Sequence, residues 1–192
     1  MEALLISTGV VALAEIGDKT QLLAFILAAR FKKPLPIIAG ILCATVVNHG
    51  LAGALGAWIT TTLSGDTLRW VLGASFIAMA IWTLIPDKIE EEETQVAKHL
   101  GVFGATLITF FLAEMGDKTQ IATVAMAAKF PNPIVVVIGT TLGMLIADVP
   151  AVFVGDRFAA KIPMKLVHSI AAGIFAILGI ATLLGAGKNL GF

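Results

Sequence analysis

Charge is scarce in this chain. Asp, Glu, Lys and Arg make up 14% of its residues, hydrophobic residues make up 58%, and mean hydropathy is +0.95. A soluble domain keeps about a quarter of its residues charged, so this composition excludes one and fits a polytopic membrane protein. The two signs cancel to a formal net charge of zero, which leaves no basic excess for nucleic acid. Cysteine is nearly absent too. Cys43 stands alone in an apolar stretch, which rules out a disulfide framework or a cysteine-based metal site. It reads as a small buried hydrophobe. The N-terminus lacks a basic n-region, and its apolar run leads into Glu15 rather than a small-residue cleavage site, so it reads as a retained first helix. The chain shows no nucleophile or cofactor motif. An intramembrane enzyme with paired carboxylates as acid and base therefore has no further support, the chain reads as a non-enzyme, and no prosthetic group is expected.

What is present is long apolar runs. A bilayer core of ~30 Å needs about 20 apolar residues per helical span. Six stretches qualify, at about 4–29, 36–62, 68–85, 100–128, 134–155 and 166–187. Arg30-Phe31-Lys32-Lys33-Pro34 ends the first and Lys129-Phe130-Pro131-Asn132-Pro133 the fourth, where charge and proline break a helix. The one long polar segment, 87–99, carries Glu90-Glu91-Glu92-Glu93 and reads as a solvated linker.

The polar residues inside the spans are concentrated in one heptad that occurs twice. Residues 15–21 read Glu15-Ile16-Gly17-Asp18-Lys19-Thr20-Gln21, and residues 114–120 read Glu114-Met115-Gly116-Asp117-Lys118-Thr119-Gln120. The same offset of 99 residues aligns Ala28-Ala29 with Ala127-Ala128, Pro34 with Pro133, Gly40 with Gly139 and Phe76 with Phe175. The expected architecture is all-α, with six transmembrane helices in two three-helix repeats: residues 1–86, an acidic linker at 87–99, and residues 100–192. Three is odd, so the second repeat enters from the opposite side, as in the inverted repeats of many secondary transporters. Eight basic residues (Arg30, Lys32, Lys33, Lys88, Lys98, Arg157, Lys161 and Lys165) follow the first, third and fifth spans, against Arg69, Lys129 and Lys188 on the other side. The positive-inside rule then places the linker in the cytoplasm and both termini outside.

Helical rise puts Glu15 and Glu114 near the bilayer midplane. On continuous helices Glu15 and Asp18 share a face, as do Glu114 and Asp117. Pairs such as Glu15–Lys19 and Glu114–Lys118, four apart, would partly neutralise the charge. Ionisable groups at the membrane centre cost at least ~2.5 kcal/mol each, so two such clusters point to function rather than scaffold. Four carboxylates and the ammonium groups of Lys19 and Lys118 sum to −2, which one divalent cation or two protons would balance. Thr20, Gln21, Thr119 and Gln120 add neutral oxygens, and Met115 is a candidate soft ligand. With no cysteine or histidine in either heptad, the donor set suits Ca2+, Mg2+ or Mn2+. Carboxylates crowded in low dielectric take up protons when the metal leaves, so one site with alternating occupants is the core of a cation/proton antiporter. Gly17 and Gly116 permit either close packing or local unwinding.

Twin Glu-x-Gly-Asp-Lys-Thr motifs on the first and fourth spans of a duplicated three-helix unit resemble the Gdt-type cation/proton exchangers, relatives of the lysine-exporter superfamily. The resemblance covers essentially the whole chain. It implies export of Mn2+, with Ca2+ as the alternative, in exchange for protons, with Glu15, Asp18, Glu114 and Asp117 binding the transported ion. The short form is similar to bacterial members, which implies the inner (plasma) membrane of a bacterium. The rival readings are an exporter of another small cationic solute and a divalent-cation channel. The expected partners are a divalent metal ion, protons and the bilayer, with a homo-oligomer also open. Asn48 and His49 in the second span, and Asp148 (99 residues after His49) in the fifth, are second-tier pathway residues. Pro150 would free the carbonyl of Ile146 beside Asp148.

Overall fold

The computed structural model describes residues 1–85, 100–154 and 164–185. Every regular element among them is a helix: α1 (Glu2–Glu15), α2 (Lys19–Phe31), α3 (Pro34–Thr62), α4 (Gly65–Thr83), α5 (Val102–Glu114), α6 (Lys118–Lys129), α7 (Pro133–Val154) and α8 (Met164–Leu183). The acidic linker 87–99, with Glu90–Glu93, and the basic loop residues Arg157 and Lys161 lie outside the described residues.

Local chemistry sets the boundaries. Pro34 and Pro133 open α3 and α7, where proline's fixed φ fits and its missing N–H is not needed. Asn132 Oδ1 accepts from the backbone N–H groups of Ile134 and Val135, capping α7. Ser64 caps α4 through the N–H of Thr67. Among the described residues three helices are long and apolar enough to cross a membrane: α3, α7 over Pro133–Phe153, and α8 over Lys165–Leu183. The stretches 4–29 and 100–128, expected as single helices, are each two half-helices. At 14, 13, 13 and 12 residues, α1, α2, α5 and α6 are each too short to cross alone.

Burial departs from that of a soluble protein at both surfaces. Ile134, Ile177 and Phe153 are more than 60% exposed, whereas Glu15, Glu114, Asp148 and His49 are fully buried. Such an arrangement suits a hydrocarbon exterior and an interior that holds polar groups among apolar ones. Cys43 follows the same rule, lying on the exposed face of α3 rather than in the core as expected.

The helices interleave: α1 packs chiefly on α7, α3 on α5 and α6, and α4 on α8. Small residues set the approach. A Cβ on Gly40 would meet Thr106 Cβ at 2.7 Å and the Phe103 carbonyl at 3.0 Å. A Cβ on Gly139 would meet Ser7 and, at 2.9 Å, the Leu4 carbonyl. Each of these residues lies 99 positions from its counterpart, so one contact is made twice with the halves exchanged. Phe76 stacks on Phe175, also 99 apart, with ring centroids separated by 6.5 Å.

These approaches are intolerant of bulk. A Cβ on Gly143 would lie 2.6 Å from the Thr8 carbonyl and 2.9 Å from the Ala12 nitrogen, whereas Gly50 has open space. Gly143→Leu should destabilise the protein by about 3 kcal/mol, because α1 backbone must move to admit it. Gly50→Ala should be neutral or better. Thermal unfolding of the purified protein in detergent checks both.

Candidate cation site

The repeated heptad is not helical throughout. α1 stops at Glu15, and Ile16 (φ −61, ψ 113) and Gly17 (φ 85) follow. The N–H of Asp18 donates to the Glu15 carbonyl at 3.0 Å. These are the angles and the bond of a type II turn, which requires a positive φ at its third residue and so selects glycine. The second copy repeats it, with Met115 at φ −70, ψ 116, Gly116 at φ 78, and Asp117 N–H to the Glu114 carbonyl at 3.2 Å. Asp18 and Asp117 then occupy the N-cap positions of α2 and α6. The expectation that Glu15/Asp18 and Glu114/Asp117 share a continuous helix face is therefore corrected. The turn brings the acids to a junction between helix ends, and of the two roles open to the glycines it uses the unwinding one.

Gln21 and Gln120 hold these turns. Gln21 Oε1 accepts from the Gly17 N–H at 2.9 Å, and Gln120 Oε1 accepts from the Gly116 N–H at 2.8 Å. Both are variants of the capping-box reach-back. Their carbonyl oxygens, expected as supplementary oxygens, serve the backbone instead. Gln21 Nε2 also donates to the Ala147 carbonyl on α7 at 2.9 Å, one residue beyond the Ile146 carbonyl that Pro150 points to. Thr20 and Thr119 orient the acids. Thr20 Oγ1 donates to Glu15 Oε2 at 2.6 Å, and Thr119 Oγ1 to Glu114 Oε2 at 3.1 Å. Asp117 Oδ1 accepts from the Thr119 N–H at 2.6 Å.

Glu15, Glu114 and Asp117 converge, each buried and each offering an oxygen within 4.8 Å of the others. Glu15 Oε1 and Glu114 Oε1 make no hydrogen bond among the described residues. Asp18 lies beside this cluster and pairs across the halves with Lys118, Oδ1 to Nζ at 3.3 Å, both nearly inaccessible. Lys118 also reaches the Ile85 carbonyl at 3.4 Å. Lys118 thus faces the site and serves the other copy's aspartate, rather than Glu114 four residues before it. Helix α5 ends between those two residues, which removes the geometry of that pairing. Lys19 is only half-buried. Met115 is 54% exposed, unlike the buried Glu114 and Asp117 on either side of it.

Asp148 is fully buried, close enough to Asp117, Glu15 and Glu114 to repel them, and neither of its oxygens is hydrogen-bonded among the described residues. Asn48 Nδ2 donates to the Phe111 carbonyl at 3.1 Å, tying α3 to α5. His49 is buried, and neither ring nitrogen is bonded among the described residues. One contact escaped the sequence reading altogether. His168 on α8 places Nε2 2.9 Å from the Ile16 carbonyl oxygen, inside the first turn. Its counterpart 99 residues earlier is Arg69, so the repeat carries no sign of it.

Three charges at separations of up to 4.8 Å repel by about 3 kcal/mol per pair at an effective dielectric of 20. A cluster this crowded needs a cation or protons among its oxygens. The donors are all hard oxygens, the set that suits Ca2+, Mg2+ or Mn2+. Removing the neighbouring ammonium exposes the same physics. Lys118→Met removes the ammonium paired with buried Asp18 and should cost about 3 kcal/mol, and adding Asp18→Asn should recover most of it. A double-mutant cycle on thermal unfolding measures the difference.

Comparison with known proteins agrees with this chemistry. The family profile described as "Divalent cation/proton antiporter GDT1" matches residues 3–91 and 102–190. A Vibrio cholerae protein described as "Putative manganese exporter" is 51% identical over 183 residues, covering 95% of this chain and 90% of that protein. "GDT1-like protein 3" of Oryza sativa is 30% identical over 199 residues, covering 91% of this chain and 71% of its own. "GDT1-like protein 5" of Arabidopsis thaliana is 28% identical over 209 residues, covering 90% and 91%. No solved structure matches the chain. With the family profile matched twice along nearly its whole length, the chain belongs to the divalent cation/proton antiporter GDT1 family.

Proposed function

We propose that this protein is a secondary transporter that exports Mn2+, with Ca2+ as the alternative cargo, from the cytoplasm in exchange for protons. The observation that carries this reading is the buried convergence of Glu15, Glu114 and Asp117, with Asp18 and Lys118 beside them. The cluster draws on both copies of the motif. Neither copy alone has the oxygens or the charge to hold a divalent ion, and the crowding that attracts the ion equally favours protons once it leaves. Mn2+ is the preferred cargo because the bacterial relative is described as a manganese exporter. Gln21 and Gln120 hold the turns, Thr20 and Thr119 aim the carboxylates, and Lys118 offsets part of the negative charge. Asp148 is a further proton-accepting group beside the site, and Asn48 and His49 line the wall formed by α3.

In this reading α1–α2 and α5–α6 each form one broken span, which with α3, α4, α7 and α8 makes six spans in two inverted three-helix repeats. The excess of basic residues in the loops on one side supports a cytoplasmic 87–99 linker in a bacterial cell, with both termini outside. Alternating access then moves the two repeats against each other around the carboxylates.

Sealed vesicles containing the purified protein test the reading. An imposed pH gradient should drive 54Mn2+ uptake, and adding Mn2+ should collapse the gradient. Glu15→Gln, Glu114→Gln and Asp117→Asn should each lower exchange by at least about a hundredfold, the loss of a transition-critical charge, while leaving folded protein. Full exchange in any two of them contradicts the shared site. Mn2+ flux without proton movement would indicate a channel.

A further inference from the structure

The acids around the site differ in what answers their charge. Asp18 faces Lys118, Oδ1 to Nζ at 3.3 Å, with both side chains nearly inaccessible. That charge is balanced within the protein. Asp148 on α7 is the reverse case. It is fully buried, and neither of its carboxylate oxygens is hydrogen-bonded among the described residues. A buried carboxylate in that condition calls for a cation or a proton.

Helix packing fixes where Asp148 stands. Gly139 lies against Leu4 and Ser7, and Gly143, one turn on, lies against Thr8, Val11 and Ala12. α7 and α1 therefore run in the same direction, and five residues beyond Gly143 the chain brings Asp148 level with Glu15 at the end of α1. Gln21 holds the same register. Its Oε1 accepts from the Gly17 N–H, and its Nε2 donates to the carbonyl of Ala147, the residue before Asp148. At that level Asp148 is close enough to Glu15, Glu114 and Asp117 to repel all three. The position 99 residues earlier is His49, so of the two equivalent helices only α7 supplies a carboxylate there.

We propose that Asp148 is the fourth carboxylate of the cation site, in the place Asp18 would take if the two motifs contributed alike. The inference rests on the exchange reading above and concerns the ligands of that same site. Glu15, Glu114 and Asp117 each offer one oxygen within 4.8 Å of the others, whereas a hard divalent cation takes about six, so the set needs further donors. Asp148 adds one from a helix that neither motif occupies, and the bound ion then ties α7 to both turns. Asp18 and Lys118 form a neutral pair beside it. A divalent ion among four carboxylates leaves excess negative charge, which the N-termini of α2 and α6 offset in part.

Electron paramagnetic resonance of Mn2+ added to the purified protein reads binding directly, because the signal of the free ion falls as it is bound. Asp148→Asn should weaken binding at least about tenfold, and by more than Asp18→Asn combined with Lys118→Met. Asp148→Cys, made in a Cys43→Ala parent, tests ligation itself. A thiolate selects softer ions, so this variant should bind Cd2+ with a sulfur-to-metal charge-transfer absorption that the parent lacks. Unchanged Mn2+ affinity in Asp148→Asn, or a larger loss in the Asp18/Lys118 double variant, overturns the proposal. So does Cd2+ binding to Asp148→Cys without that absorption. A wild-type protein that binds no Mn2+ overturns the exchange reading itself, and this ligand set with it.

Discussion

Everything in this structure depends on holding three carboxylates closer together than their charges allow. Glu15, Glu114 and Asp117 are buried and within 4.8 Å of one another, where mutual repulsion costs several times RT per pair, about 3 kcal/mol at an effective dielectric of 20. Such groups converge only on a scaffold that holds their backbones in place. Two type II turns provide it, each fixed by a glycine at positive φ and by a glutamine that reaches back to that glycine's N–H. The turns also bring helix N-termini to the site, and the partial positive charge there favours the acids.

The rest of the fold keeps the turns facing one another. α1 packs on α7 and α3 on α5 through glycines that admit no Cβ, so each half is embedded in the other. The ion pair between Asp18 and Lys118 crosses the same boundary. Because the site is shared, its geometry depends on the relation between the halves, and a shift of one against the other changes the oxygens on offer. In the proposed exchange, that dependence is what couples metal release to proton uptake.

Much of this was legible in the residues. The offset of 99, the buried acids and the assignment to an exchanger family all follow from the heptad and its flanks. The helix break did not follow, because an apolar run with one glycine reads as a continuous span. Yet the signal was there. A glycine before an aspartate, with threonine and glutamine two and three residues on, is the composition of a type II turn leading into an N-cap. Cys43 was placed in the core by a rule for soluble proteins, whereas apolar surroundings put it on the outside. The Lys118–Asp18 pairing and the His168 contact span 100 and 152 residues, and no local pattern encodes a contact at that range.

The central claim is that metal and protons compete for one set of oxygens. Calorimetric titration of the purified protein with Mn2+, repeated in buffers of different ionisation enthalpy, counts the protons released as the ion binds. One binding event per chain that releases at least one proton, with the release lost in Glu114→Gln, is the predicted result. Mn2+ binding that releases no proton would contradict it.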